Sequence, residues 1–351
     1  MNTAVVAITK NGAELAVKIG SKLDADIYVK NEFVEKYILK DEMFFIHPVT
    51  TDFSAFVGKL FGTYEAIVFV MACGIVVRTI APHLQDKVND PAVVVVDENG
   101  QHAISLLSGH IGGANELAKN VASITDGTPV ITTATDVNGV LSFDVFAVEN
   151  DCVIENIKDL KYISAQLVNG GKVGFYSDYR LNGRLPDNVL PYCPDSMYMP
   201  VAALTNRNNV KINAQKVLFI RPRNLILGIG CKKGTPGSRI SEAVHDFMQK
   251  NGKSILSLKF AASIDLKKDE KGILDFCNEY KLEFKTISAE VIKTIESRFT
   301  FSSFVKEKTG VGGVAEACAV VAGNNARLIC PKIVYGGITL ALAEEEKAFY
   351  L

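Results

Sequence analysis

The sequence predicts an α/β protein: two α/β domains with largely parallel sheets, over 1–140 and 223–351, joined by a smaller irregular α+β middle domain over 141–222. Continuous apolar runs such as Ala66-Ile-Val-Phe-Val-Met71 and Ala92-Val-Val-Val-Val96 have the make-up of strands buried on both faces, as central parallel strands are. They alternate with segments whose apolar residues recur at helical spacing, the β-α-β order that closes through a right-handed crossover. At 351 residues the chain exceeds one typical core, and prolines at 186, 191, 194, 200 and 222 break the regular pattern between its two halves.

Residues 3–9 read as the first buried strand, closed by a Lys10-Asn-Gly turn. Leu15, Ala16 and Ile19 give the next helix its buried face. Residues 26–29 and 44–47 are short strands, and Phe53, Phe56, Val57 and Leu60 share one helical face. The 66–71 strand runs into Ala72-Cys-Gly-Ile-Val-Val-Arg78-Thr-Ile-Ala-Pro82-His83. Functional residues of open α/β sheets gather beyond the carboxyl ends of the strands, so Arg78 either meets a ligand carboxylate there or pairs on the surface with Asp86 or Asp90. Residues 92–97 form another buried strand, and Glu98-Asn99-Gly100 is a hairpin turn into 101–106.

Ser105-Leu-Leu-Ser-Gly-His110-Ile-Gly-Gly-Ala-Asn115-Glu-Leu then makes a Gly-rich turn that opens a helix striped by Ala114, Leu117, Ala118, Val121 and Ala122. Residues 128–136 are a strand ending in hydroxyls and the carboxylate of Asp136. From about 141 the pattern changes: 144–148 fits strand or helix, 154–168 is helical, 170–179 is a turn and strand, and short strands such as 217–220 sit among the prolines. Asn224-Leu-Ile-Leu-Gly-Ile-Gly230 begins a new parallel unit, with helices at 240–248 and 273–280, strands near 255–258 and 284, a helix at 290–299, and strands at 327–330 and 338–343.

Charge is balanced, 38 basic against 39 acidic residues, so nothing points to nucleic acid. No apolar run approaches the roughly 20 residues of a membrane helix, and MNTAVVAITKNG lacks the charged start and long apolar core of a signal peptide. The seven cysteines stand singly, odd in number and without metal-ligand spacing, which reads as the reduced thiols of a cytoplasmic protein. His83, His102 and His110 form neither HxH nor HExxH, so no metal site is expected.

Three Gly-rich turns lie at 108–113, 228–238 and 309–313. Each is expected to leave backbone N–H groups bare at the positive end of a helix, as suits a carboxylate or phosphate, although a tight helix entry needs glycine for packing anyway. The 228–234 turn has GxGxxxG spacing without an acidic ribose partner, and the GxxxxGK[ST] phosphate loop is absent. Lys232 and Lys233 supply positive charge or are simply solvated. Cys231, near a helix start, is placed for a lowered thiol pKa but has no histidine near it in sequence. His110 is the best general acid/base of the chain. Glu116 and Glu316 follow two of the turns at like positions, each a partner of its helix dipole or a second acid/base group.

Gly74-Ile-Val-Val-Arg-Thr-Ile-Ala-Pro-His83, Asp90-Pro-Ala-Val-Val-Val-Val-Asp97 and the 105–115 turn together resemble the CbiG family, the cobalt-precorrin 5A hydrolases of anaerobic cobalamin synthesis. Thr132-Thr-Ala-Thr-Asp136, Gly174-Phe-Tyr-Ser-Asp178 and Leu225-Ile-Leu-Gly-Ile-Gly-Cys-Lys-Lys-Gly-Thr235 extend the match. Thr309-Gly-Val-Gly-Gly-Val-Ala-Glu316 fits the family's C-terminal, CobE-like domain, so the resemblance runs from about 50 to 345.

The resemblance implies a hydrolase acting on a carboxylate-rich tetrapyrrole. Water opens a δ-lactone between the ring A acetate and a meso carbon, and that carbon leaves with its methyl as acetaldehyde. Cobalt is carried by the substrate, so no cofactor of the protein's own is implied. A homodimer and transient contact with neighbouring pathway enzymes are compatible with this reading, as is a non-catalytic carrier of the same intermediate. The resemblance assigns no catalytic residues. Matched to the chemistry, His110 transfers protons and Glu116 or Glu316 assists. Arg78, Lys232 and Lys233 bind peripheral carboxylates. Ser108, Gly109, Gly112, Gly113 and Asn115 line the first turn, with Asp136 at the same sheet edge. Cys231, Gly312 and Gly313 line the other two turns.

Overall fold

The structure is a computed structural model and describes residues 1–38, 46–49, 52–86, 89–110, 112–133, 140–195 and 199–351. It forms two compact units, Met1–Val145 and Phe146–Leu351.

The first unit holds a seven-stranded sheet of order β3-β2-β1-β4-β5-β6-β7. Its strands are β1 (Thr3–Ala7), β2 (Asp26–Val29), β3 (Ile46–Pro48), β4 (Ala66–Val70), β5 (Ala92–Val96), β6 (His102–Leu107) and β7 (Thr128–Val130). β1, β4 and β5 are buried along their whole length, which is why they read as unbroken apolar runs. All neighbouring pairs are parallel except β5–β6, the hairpin expected at 98–100. Helices α1 (Lys10–Leu23) and α5 (Ala114–Thr125) pack on one face, and α3 (Phe53–Thr63) and α4 (Cys73–Ile80) on the other. α2 (Asn31–Ile38) follows β2. Of the strand expected over 44–47, residues 44 and 45 lie outside the described residues. The segment after β4 is helix: Val76 and Ile80, one turn apart, are buried in that face and override the poor helix propensity of its glycine and β-branched residues.

In the second unit α7 (Ile157–Val168) accompanies a five-stranded sheet of order β11-β9-β12-β13-β8. Its strands are β8 (Cys152–Ile154), β9 (Val173–Ser177), β11 (Val189–Pro191), β12 (Val201–Leu204) and β13 (Val217–Pro222). Only β8 runs antiparallel. This middle region is more regular than its prolines suggest, because they avoid strand interiors: Pro191 and Pro222 end strands, and Pro200 precedes one. The short β10 (Leu181–Asn182) pairs with β19 (Phe349–Tyr350).

A further sheet of order β16-β15-β14-β18-β17 comprises β14 (Leu225–Cys231), β15 (Leu258–Ile264), β16 (Glu283–Ile287), β17 (Ala326–Tyr335) and β18 (Ile338–Glu345). The first three are parallel, and β17 and β18 form an antiparallel hairpin across Gly336-Gly337, whose positive φ values of 56° and 98° suit a tight two-residue turn. Helices α8 (Gly237–Lys250) and α9 (Lys271–Glu279) cover one face, and α10 (Ala289–Ile295) and α12 (Ala315–Val321) the other. α11 (Ser303–Thr309) precedes α12. Among the described residues no helix is long and apolar enough to cross a membrane.

Candidate functional site

β6 runs into the Gly-rich turn and α5 leaves it. The turn closes on itself rather than leaving its amides bare. The N–H of Gly113 donates to His110 O (3.0 Å), that of Ala114 to Ser108 O (3.2 Å) and that of Asn115 to Gly109 O (2.9 Å). Ser108 takes a left-handed φ of 55° and donates its hydroxyl to Asp90 O at 3.0 Å. A Cβ on Gly112 would strike Ser108, and one on Gly109 would lie 2.7 Å from Asn115 Oδ1, so both glycines serve the tightness of the turn. Asn115 is buried, accepts from Ser105 Oγ at 2.7 Å and donates to Thr133 Oγ1 at 3.3 Å, fastening the turn to its sheet. The expectation of a cradle of free amides is corrected here for Gly113, Ala114 and Asn115, which the turn's own carbonyls consume.

What the turn presents is His110, whose side chain is 10% exposed. Its Nδ1 lies 3.2 Å from Asp144 Oδ2 and 3.2 Å from Ser142 Oγ. Ser142 also donates to the other carboxylate oxygen of Asp144. Burial alone would raise the Asp144 pKa, but the hydrogen bonds from His110 and Ser142 outweigh it and hold the carboxyl below its ordinary value. An ionised Asp144 accepts a hydrogen bond from Nδ1–H, which leaves the ring's basic lone pair on Nε2. This is the orienting half of an acid–base relay, a carboxylate fixing the tautomer of a histidine. Asp144 lies in the first turn of helix α6 (Phe143–Glu149), and both it and Ser142 belong to the compact unit that ends at Val145. Sequence reading missed them because the partners are 34 and 32 residues from His110.

The other candidates fall elsewhere. Glu116 points to solvent and pairs with Lys119 at 2.5 Å. Arg78 is exposed in the last turn of α4 and makes no ion pair among the described residues, with Asp86 and Asp90 or otherwise. Asp136 lies outside the described residues. Cys231 ends β14, and burial pushes its thiol upward, not down as a helix-start position would. Lys232 and Lys233 are exposed beside it.

In the second unit both remaining Gly-rich turns already hold a carboxylate of the chain. Gly234 N–H donates to Glu270 Oε1 at 2.7 Å, and Gly312 N–H to Glu296 Oε2 at 2.6 Å. The Gly312 amide is the chief reason Glu296 sits below the usual carboxylate range. Gly313 passes close to Thr300 O, 2.9 Å from where its Cβ would stand. Glu316 is buried and accepts from Thr300 N (2.7 Å), Thr300 Oγ1 (3.1 Å) and Lys332 N (3.0 Å), the geometry of a brace between loop and strand rather than of a proton carrier. Among the described residues no three His, Cys, Asp or Glu side chains converge as metal ligands.

A parallel-sheet protein with a carboxylate-oriented histidine at a sheet edge belongs to the broad class of α/β proteins equipped for acid–base chemistry. Residues 55–136 match the family described as cobalamin synthesis G N-terminal, 141–196 the cobalamin biosynthesis central region, and 225–343 the cobalamin synthesis G C-terminus. The chain is 33% identical to a cobalt-precorrin-5A hydrolase of Priestia megaterium over 97% of this chain and 94% of that one. It is 32% identical to the cobalt-precorrin-5A hydrolase of Salmonella typhimurium over 97% and 96%. It also resembles protein CobE of a Sinorhizobium species, at 33% identity over 34% of this chain and 79% of CobE. The chain belongs to the cobalamin synthesis G family, as its motifs lead one to expect.

Proposed function

We propose that this chain hydrolyses cobalt-precorrin 5A, opening its δ-lactone and releasing acetaldehyde to give cobalt-precorrin 5B. The single observation that carries the chemistry is the His110–Asp144–Ser142 constellation. Nε2 of His110 takes a proton from the attacking water as its oxygen bonds to the lactone carbonyl carbon, and Asp144 stabilises the imidazolium that results. Collapse of the tetrahedral intermediate frees the ring A acetate and leaves a hydroxyl on the former meso carbon, which also bears the methyl. Removal of that hydroxyl's proton breaks the carbon–carbon bond, expels acetaldehyde, and leaves the electron pair on a macrocycle carbon that takes up a proton. The imidazole serves both directions, as a base when neutral and an acid once charged.

Gly112 N–H donates to no carbonyl among the described residues and is available to the developing oxyanion, whereas Gly113 N–H is already committed. Arg78 is available for a peripheral carboxylate, as are Lys232 and Lys233 in the second unit. We place the reaction in the cytoplasm, a reading supported by seven free thiols. A homodimer, which is compatible with this reading, would sediment at twice the chain mass. Acetaldehyde formation from cobalt-precorrin 5A tests the whole reading, and binding without acetaldehyde would make the chain a carrier instead. His110→Ala is expected to slow acetaldehyde release at least about tenfold; near-normal turnover would remove His110 from the mechanism.

A further inference from the structure

The middle sheet of the second unit has a feature that the chemistry above does not use. From β9 the chain goes to β11 on one side and then to β12 on the other, so β9 and β12 flank a topological switch point. In parallel sheets the loops leaving such strands diverge and open a crevice at their carboxyl ends, the usual seat of a ligand. A cavity of about 570 Å³ lies there, inside the compact unit Phe146–Leu351. Arg180 lines it from the loop after β9, Asn206 and Arg207 from the loop after β12, Lys253 from the turn after α8, and Arg327 and Glu344 from the neighbouring sheet. That volume falls within the roughly 300–1,000 Å³ of small-molecule sites.

Most of its charges are already spent. Arg207 grips Asp178 at 2.5 Å, and Lys253 lies 3.6 Å from Glu344 and 2.8 Å from Asn206 Oδ1. Glu344 also accepts from Asn206 and from Tyr179. This polar network is expensive to bury and rigid once satisfied, which suits a preorganised floor better than a simple joint. Arg180 and Arg327 stand outside it. Both line the cavity, both are exposed, and neither side chain makes an ion pair or hydrogen bond among the described residues. The one lining carboxylate likewise without an ion pair is Glu346, exposed just beyond the end of β18. Two planar guanidinium forks facing a cavity with a neutralised floor form a receptor for carboxylates, each able to hold one through paired N–H donors.

We infer that this cleft is a carboxylate-binding site in which Arg180 and Arg327 hold side-chain carboxylates along one edge of a tetrapyrrole. The macrocycle's identity rests on the proposed function; the cleft's preference for a polycarboxylate does not. Uroporphyrin, a flat tetrapyrrole with carboxylates on every ring and neither cobalt nor lactone, is the probe, titrated by its fluorescence against the full-length chain. Arg180→Gln/Arg327→Gln is expected to weaken binding about tenfold or more. Lys268→Gln/Arg298→Gln, two exposed cations away from the cleft, is expected to stay within about twofold and controls for net charge.

No uroporphyrin binding by the unaltered chain, an equal loss in the control, or unchanged binding in the cleft variant would each overturn the site. If the double variant does not fold, the single variants Arg180→Gln and Arg327→Gln replace it, each expected to weaken binding about threefold. The two readings fail separately. An unaltered chain that binds uroporphyrin but yields no acetaldehyde from cobalt-precorrin 5A keeps the cleft and loses the hydrolase. One that yields acetaldehyde with an unchanged KM in the cleft variant loses the cleft.

Discussion

Asp144 and His110 are 34 residues apart in sequence and 3.2 Å apart in the fold, so the value of the aspartate depends wholly on its ionisation. Its folded pKa lies below the ordinary one, so the stability it contributes is fully present above the unfolded value and is lost as pH falls through the folded value. Asp144→Asn should flatten the acid limb of the stability profile and lower kcat at least about tenfold, because an amide no longer enforces the tautomer. A stopped-flow acetaldehyde assay beside urea melts at several pH values reads both, and unchanged kcat would leave Asp144 a purely structural partner. The two glutamates separate in the opposite way. Glu316→Ala strands the N–H groups of Thr300 and Lys332, at about 1–3 kcal/mol each, while kcat per folded molecule is kept. Glu116→Ala removes a solvent-exposed pair with Lys119 and should change stability by less than about 0.5 kcal/mol. A loss of kcat in either variant would return that glutamate to the chemistry.

At the scale of elements, α12 lies so close to β14 that a Cβ on Gly228 would run into the carbonyl oxygen of Ala315. The glycine read as part of a ligand turn is therefore a packing residue in mid-strand. Gly228→Ala should force the helix outward and cost about 1–3 kcal/mol in a denaturant titration, and a neutral result would show that α12 yields freely. Long apolar runs such as β4 and β5 were legible in the sequence because both of their faces are buried and every residue carries the signal. Helix α4 was not, since its glycine and β-branched residues hide a helix that tertiary burial of Val76 and Ile80 enforces. The parallel order of β9, β11, β12 and β13 was equally hidden. Prolines mark strand ends as readily as loops, and only the pairing distinguishes the two.

For the whole molecule, the proposed reaction takes its cobalt in with the substrate. Turnover of cobalt-loaded substrate should survive prior treatment of the protein with EDTA and gel filtration, whereas loss of activity restored by a divalent cation would reveal a metal of the protein's own. The family was legible because long motifs such as 105–115 and 225–235 carry more information than any single turn. The site was legible only in part. A motif locates His110, while the residues that orient it, and the guanidiniums around the middle-sheet cleft, are assembled by contacts between distant segments.

The carboxylates of Glu270 and Glu296 give the two turns of the second unit a further property. Each is tethered beside the amide it occupies, so its effective concentration there is on the order of millimolar or above. A free anion meets this covalently attached competitor, and one of ordinary weak affinity stays excluded at physiological levels. The turns are self-inhibited as anion receptors, which leaves the substrate's carboxylates to side chains that carry no such internal rival.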